Sequence, residues 1–227
     1  MTNKVAVVIS GCGVYDGAEI YETTLTLLRL SELNIPYQVI APNKPQLSVI
    51  NHLTGEEVAA SQADQANSRN ILEEAARLAR GDALDLAQAK PEDYAAVILP
   101  GGFGVAKNFS DFASKGAEAN VDADVEAFVQ AFYAAKKPIG LMCIAPAITA
   151  KLVAPGILCT IGNDATVAGA IASMGGLHKS CAVDEILVDN QHLLVTTPAY
   201  MLAENLVEAK TGIFKLVDKV AELAKLA

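Results

Sequence analysis

Cys143 stands where a short apolar run, Pro138-Ile139-Gly140-Leu141-Met142, gives way to an Ala-rich one, Ile144-Ala145-Pro146-Ala147-Ile148-Thr149-Ala150. The first run reads as a buried strand and the second as a helix. That places the cysteine on a strand-to-helix turn of the nucleophile-elbow type, with Cys where such turns carry Ser. A sulfur on such a turn is pushed out of the sheet. The positive end of the following helix lowers its pKa, so Cys143 is expected to be the most acidic of the four thiols. The same turn aims backbone N–H groups at a developing oxyanion. A buried, inert structural cysteine is the other reading of the same residue.

Two further segments hold residues that could serve this thiol. Pro100-Gly101-Gly102-Phe103-Gly104 offers glycine backbone that can approach a substrate closely. An oxyanion hole would take one donor from it, at Gly101 or Gly102, and one from Ile144; a plain glycine-rich turn is the alternative. Gly17-Ala18-Glu19-Ile20-Tyr21-Glu22-Thr23 supplies two carboxylates three positions apart, on roughly one face of a helix. Acidic residues in a first helical turn also suit the dipole alone. Held against a thiolate, a glutamate has its pKa raised by the like charge and can act as acid or base near neutral pH. A dinucleotide-binding loop is a poor match, because Gly11-Cys12-Gly13-Val14-Tyr15-Asp16-Gly17 spaces its glycines one residue too far apart.

The elements that must position these residues alternate strand and helix. Residues 5–10, 37–41, 95–99 and 157–161 read as strands, and 182–188 and 192–197 as a further pair. Residues 18–33, 67–80, 122–136, 165–174 and 202–226 read as helices. An excursion at 43–93 holds a hairpin with its turn near Gly55. The pattern predicts an α/β fold: a doubly wound, mostly parallel sheet flanked by helices. At 227 residues one domain over 1–227 is expected.

Composition narrows the function classes. The chain is 52% hydrophobic and 19% charged, as globular proteins are. A net charge of −9 argues against a general grip on nucleic acid or an anionic membrane. Four separated cysteines and three separated histidines offer no ligand spacing, so no metal and no cofactor is expected. No uncharged stretch reaches the roughly 18 residues of a membrane helix. The apolar run after Lys4 ends early, in Gly11-Cys12-Gly13, and reads as a first strand; a cytoplasmic protein is expected. A symmetric homodimer is the expected assembly.

Taken together, the Gly-Ala-Glu-Ile-Tyr-Glu-Thr segment, Ile98-Leu99-Pro100-Gly101-Gly102-Phe103-Gly104 and Met142-Cys143-Ile144-Ala145-Pro146 resemble the class I glutamine amidotransferase-like superfamily, in its PfpI-like branch. Ser10-Gly11-Cys12-Gly13-Val14-Tyr15-Asp16-Gly17, Asn51-His52-Leu53-Thr54-Gly55-Glu56 and Thr196-Thr197-Pro198-Ala199-Tyr200-Met201-Leu202-Ala203 are similar to the ElbB group within it. These are isoprenoid biosynthesis proteins with an amidotransferase-like domain, credited with glyoxalase activity. The resemblance runs nearly end to end and implies a flavodoxin-like sheet. It places the nucleophile on Cys143, its carboxyl partner on Glu22, and the oxyanion donors on Gly102, Gly101 and Ile144. Glu19, Cys12 and Thr197 would support them from behind.

True glutamine amidotransferases carry a His-x-Glu pair late in the chain. Here that loop reads Thr197-Pro198-Ala199-Tyr200. Of the three histidines, His178 is the best candidate for a third catalytic member. The resemblance thus implies a cofactor-free enzyme converting a small reactive dicarbonyl, glyoxal, to glycolate. A redox-sensing or partner-stabilising module with an oxidisable Cys143 is the alternative, as is an amidotransferase-like subunit without glutaminase activity.

Overall fold

The computed structural model describes residues 3–58 and 69–226. Strand β1 (Val5–Val8) is buried at every position, and its side chains alternate between two cores. Ala6 and Val8 face one, Val5 and Val7 the other, as a strand covered on both faces requires. The chain continues through α1 (Ile20–Glu32), β2 (Tyr37–Ala41), a hairpin of β3 (Ile50–Asn51) and β4 (Glu56–Glu57), α2 (Ile71–Leu78) and β5 (Ala83–Asp85). Strand β6 (Ala96–Leu99) leads into two short helices, α3 (Phe103–Lys107) and α4 (Phe112–Lys115), and then α5 (Ala123–Ala134). Strand β7 (Ile139–Met142) ends at Cys143. After it come α6 (Thr149–Leu152), β8 (Leu158–Cys159), α7 (Ala165–Ser173) and β9 (Leu177–His178). The chain closes with β10 (Leu187–Asp189), β11 (Leu194–Thr197) and α8 (Leu206–Leu223).

Seven strands form the main sheet in the order β10-β11-β7-β6-β1-β2-β5. Every neighbouring pair is parallel except β10 with β11, an antiparallel edge. Helices cover both faces. On one, Val125, Phe128, Val129 and Phe132 of α5 pack with Val97, Leu99 and Ile139. On the other, Leu30 of α1 and Ile213, Leu216 and Val217 of α8 pack with Val7 and Ile98. Gly140 lets α8 sit directly on β7, since a Cβ there would stand 2.9 Å from a Leu216 methyl. Arg29 holds α1 to α8 with two bonds to Asp218, at 2.7 and 3.0 Å. The expected doubly wound, mostly parallel sheet is the fold found.

Several boundaries differ from those expected. Residues 43–93 are not wholly an excursion, because β5 returns to the sheet edge beside β2. The helix expected over 67–80 occupies 71–78, opened by Asn70, whose side chain accepts from Leu72 and Glu73 N–H; positions 67 and 68 lie outside the described residues. The strand expected over 182–188 is only β10. The last helix starts at Leu206, capped by Asn205, after a 3-10 turn at Ala199–Met201. The helix expected after Cys143 is a 3-10 turn, Ala145–Ile148, followed by the four-residue α6.

With the sheet filled this way, Phe132→Ala removes a fully buried ring from between α5 and the strands. It should lower unfolding stability by about 3–5 kcal/mol, the usual cost of deleting a core aromatic, read from the urea midpoint.

Candidate functional site

The loops after β1, β6, β7 and β11 leave the same end of four adjacent strands. In such sheets that end is where ligands bind. Cys143 follows β7 with φ of +58°, the strained elbow geometry that turns its side chain out of the sheet. Its N–H donates to the Thr197 carbonyl at 3.1 Å, extending the ladder to β11 and fixing the turn. Thr197 supports the site through this carbonyl only; its hydroxyl donates to Glu185 O at 2.8 Å, away from the thiol.

Glu22 lies on the first turn of α1 and is fully buried. Its Oε2 accepts from Gly101 N–H at 2.7 Å and its Oε1 from Tyr200 N–H at 3.2 Å, while the carboxyl also shares a hydrogen bond with the Cys143 thiol. Glu19 caps the same helix, accepting from Glu22 N–H at 2.6 Å. Its own N–H donates to Gly101 O at 2.9 Å, so the helix start and the 100–104 loop hold each other. Gly101 threads between acid and thiol. A Cβ there would collide with the Cys143 side chain and lie 3.0 Å from Glu22 Oε2. Gly102 adopts φ of +98°, favoured by glycine, and presents its N–H to the Cys143 sulfur together with that of Ile144.

Of the proposed oxyanion donors, Gly102 and Ile144 therefore face the sulfur, whereas the Gly101 N–H is committed to Glu22. Burial, and then the charge of Glu19, push the Glu22 carboxyl up to about 7 against the bonds it accepts. Burial and then the Glu22 charge push the Cys143 thiol well above its ordinary value, partly offset by the Gly102 N–H. The expectation that Cys143 is the most acidic thiol is corrected: the helix meant to lower its pKa is a 3-10 turn and one α-turn, with little dipole, and desolvation outweighs it.

The structure does not bring His178 to this cluster. It lies in β9, with Nε2 3.4 Å from Ile161 N, and burial lowers its pKa. His52 stacks on Tyr15 in the hairpin, and His192 pairs with Asp189 at 2.8 Å in the β10–β11 turn. Cys12 is half-buried, and its charged neighbours are Glu74, Arg77, Asp16 and Arg69 rather than the Cys143 pair. Cys143 opens into a cavity of about 390 Å³ whose wall includes Val14, Phe103, Phe112, Val167, Tyr200 and Met201. None of these was a candidate from sequence. Only the Tyr200 segment carried a signal, through the Thr197-Pro198-Ala199-Tyr200 loop. Among the described residues there is no cluster of His, Cys, Asp or Glu placed to hold a metal ion, and no helix long and apolar enough to cross a membrane.

No family model matches the chain. It is 42% identical to the rat "ES1 protein homolog, mitochondrial", over 97% of this chain and 84% of that one. It is likewise 42% identical to the human "Glutamine amidotransferase-like class 1 domain-containing protein 3, mitochondrial", over 97% and 83%. Among solved structures, an Ehrlichia chaffeensis isoprenoid biosynthesis protein with an amidotransferase-like domain superposes with a TM-score of 0.88 at 35% identity, covering 97% of this chain and 98% of that one. Drosophila melanogaster DJ-1beta shares the fold alone, with a TM-score of 0.57 at 17% identity over 99% and 97%. Both curated relatives are named mitochondrial, which overturns the expectation of a cytoplasmic protein.

A pair that holds one proton between two acids has a characteristic pH profile. As pH rises through about 7 the pair loses its first proton, and part of the population becomes thiolate beside carboxylic acid. Alkylation of Cys143 by iodoacetamide should therefore rise with an inflection near 7 and rise again only above the ordinary thiol range. Glu22→Gln should abolish the lower inflection. Cys159, pushed up to about 11, is the unreactive internal control in mass spectrometry.

Proposed function

We propose, from the premise that the chain belongs to the ES1 family of class I glutamine amidotransferase-like proteins, that it is a cofactor-independent glyoxalase with Cys143 as nucleophile. The observation that carries this reading is the buried Cys143–Glu22 pair, its sulfur facing two N–H donors, with Cys143, Gly102 and Ile144 all in the wall of one cavity.

The chemistry follows from what each group can do. The thiolate microstate of the pair adds to the aldehyde carbon of the dicarbonyl, forming the C–S bond, and the Glu22 proton goes to the new alkoxide. The Gly102 and Ile144 N–H groups stabilise the charge that builds there. Glu22, now a carboxylate, takes the hydrogen from the former aldehyde carbon and delivers it to the neighbouring carbonyl carbon through an enediol. The hydroxyl proton of the first carbon is replaced by one gained at the oxygen of the second, so the first carbon is oxidised to a thioester while the second is reduced to an alcohol and no external electron carrier is needed. Water then cleaves the thioester, releasing the 2-hydroxy acid and restoring the thiol. With His178 outside the cavity wall, Glu22 serves as both the acid and the base in these proton transfers.

A sensor role is less well supported. The thiolate microstate that would add to a carbonyl is also the form peroxide attacks, so what favours the enzyme reading is the cavity beside the sulfur, which a sensor thiol does not need. Hydrolysis of glutamine is also poorly served, since among the described residues no imidazole lines the cavity to carry a proton to departing ammonia.

Purified protein with glyoxal, methylglyoxal and glutamine supplied separately tests the reading, with glycolate, lactate and ammonia measured. Glyoxal and methylglyoxal should be consumed and glutamine left intact. Cys143→Ala should be inactive, and Glu22→Gln should lose about 10²-fold or more in kcat while remaining folded. Dicarbonyl turnover that survives in Cys143→Ala would remove the proposal.

A further inference from the structure

We infer that the Cys143 cavity selects uncharged carbonyl compounds with an apolar tail, α-oxoaldehydes with a longer alkyl or a phenyl group, over two-carbon glyoxal and over anionic carbonyls. The inference rests on the thiol chemistry proposed above and names the substrate class of the same site.

Size is the first ground. The cavity measures about 390 Å³. A water molecule claims about 30 Å³ of liquid, and glyoxal, with four heavy atoms, is only a few times larger. Glyoxal bound at the sulfur would leave most of the space in contact with nothing but water. The volume falls within the range of sites that enclose molecules of drug-like size, about 300–1,000 Å³.

The wall gives the chemistry. Phe103 and Ala106 come from α3, Phe112 and Ala113 from α4, Val167 from α7, and Met201 from the 3-10 turn after β11. Three separate helices thus present apolar side chains to one space, whose wall also includes Cys143. Neither Lys, Arg nor His lines it among the described residues, so nothing there neutralises a carboxylate or phosphate. The single carboxylate in the wall, Asp164, accepts from Val167 N–H at 2.9 Å as the cap of α7 and repels an anionic tail. An apolar tail displaces water from these walls and is favoured by about fourfold in affinity for each methylene buried. A longer tail leaves the reacting carbons unchanged, so the redox balance within the dicarbonyl is the same.

Two readouts on the intact protein test this and separate it from the catalytic proposal. The first is protection of Cys143 from iodoacetamide by methyl ketones from butanone to octanone, which requires no turnover. The half-protecting concentration should fall about fourfold per added methylene until the cavity is full. A carboxylate of matched length, 5-oxohexanoate, should protect at least tenfold more weakly. The second is kcat/KM for glyoxal, methylglyoxal, hexylglyoxal, phenylglyoxal and glyoxylate, which should be highest for the two long-tailed dicarbonyls and lowest for glyoxylate.

Val167→Asp and, at an exposed position tolerant of change, Ala113→Asp should each flatten the ketone series. Glyoxal turnover with flat series in both readouts overturns the tail inference and leaves the glyoxalase reading standing. Protection that steepens with length, with no dicarbonyl consumed, supports the tail site and overturns the glyoxalase reading. A ketone series that keeps its slope in both Asp variants places the tail elsewhere and overturns the inference.

Discussion

Glu22 and Cys143 are two acids held in contact, the carboxyl fully buried and the thiol nearly so. In water each would ionise independently; here the ionisation of one raises the cost of ionising the other. Burial is the larger cause for both groups; the Glu19 charge comes next for Glu22, and the Glu22 charge comes next for Cys143. The pair consequently passes from two protons to one as pH rises through about 7, and the proton that remains is the reagent the proposed chemistry uses. The surrounding backbone is arranged to tolerate this. Gly101 and Tyr200 N–H groups satisfy the carboxyl oxygens, and Gly102 and Ile144 N–H groups satisfy the sulfur. Without those donors a buried carboxylate would simply stay protonated, and the thiol would be inert.

Holding two side chains from distant parts of the chain in this relation needs rigid supports. Glu22 rides on α1, which is clamped to α8 through Arg29 and Asp218 and to the 100–104 loop through Glu19. Cys143 is pinned to β11 by its own N–H. The glycines at 101 and 102 are what allow the loop to pass between the two acids, because any side chain at 101 would occupy the contact itself. The strain at Cys143 is thus paid by a ladder bond on one side and close packing on the other.

The sheet, its parallel character and the elbow could be read from the chain, because continuous β-branched runs such as Val5-Ala6-Val7-Val8 and the helical spacing of Val125, Phe128, Val129 and Phe132 are local signals. The pairing of Glu22 with Cys143 came from resemblance, since nothing local links residues so far apart. What stayed hidden was set by tertiary placement. Strand β5 is three half-buried residues whose only strand signal is the neighbour β2. The short helices α3 and α4 follow Gly102 and a loop turn, with no apolar period long enough to register. The direction of the thiol shift was misread because helix polarity is visible in sequence and desolvation is not. His178 was put forward as a base by residue type, and its place in β9 depended on a strand pair of two residues each.

Among the described residues no imidazole lines the cavity, and this bears on what chemistry the proposed site can support. Addition of a thiol to an aldehyde is reversible and needs one proton delivered to oxygen, which the pair already holds. Migration of hydrogen between adjacent carbons needs a base beside the sulfur, and in the proposed reaction the Glu22 carboxylate, hydrogen-bonded to the thiol, is that base. Amide cleavage needs more: protonation of a poor leaving group and then activation of water, steps for which imidazole, with two ring nitrogens, is suited. A carboxyl anchored by Gly101 and Tyr200 N–H groups cannot swing to a leaving nitrogen without abandoning both bonds. The same anchoring that would make Glu22 a well-placed acid for a carbonyl next to sulfur would make it a poor shuttle for glutamine, so an amidotransferase-like frame is compatible with the proposed chemistry at carbonyl carbons.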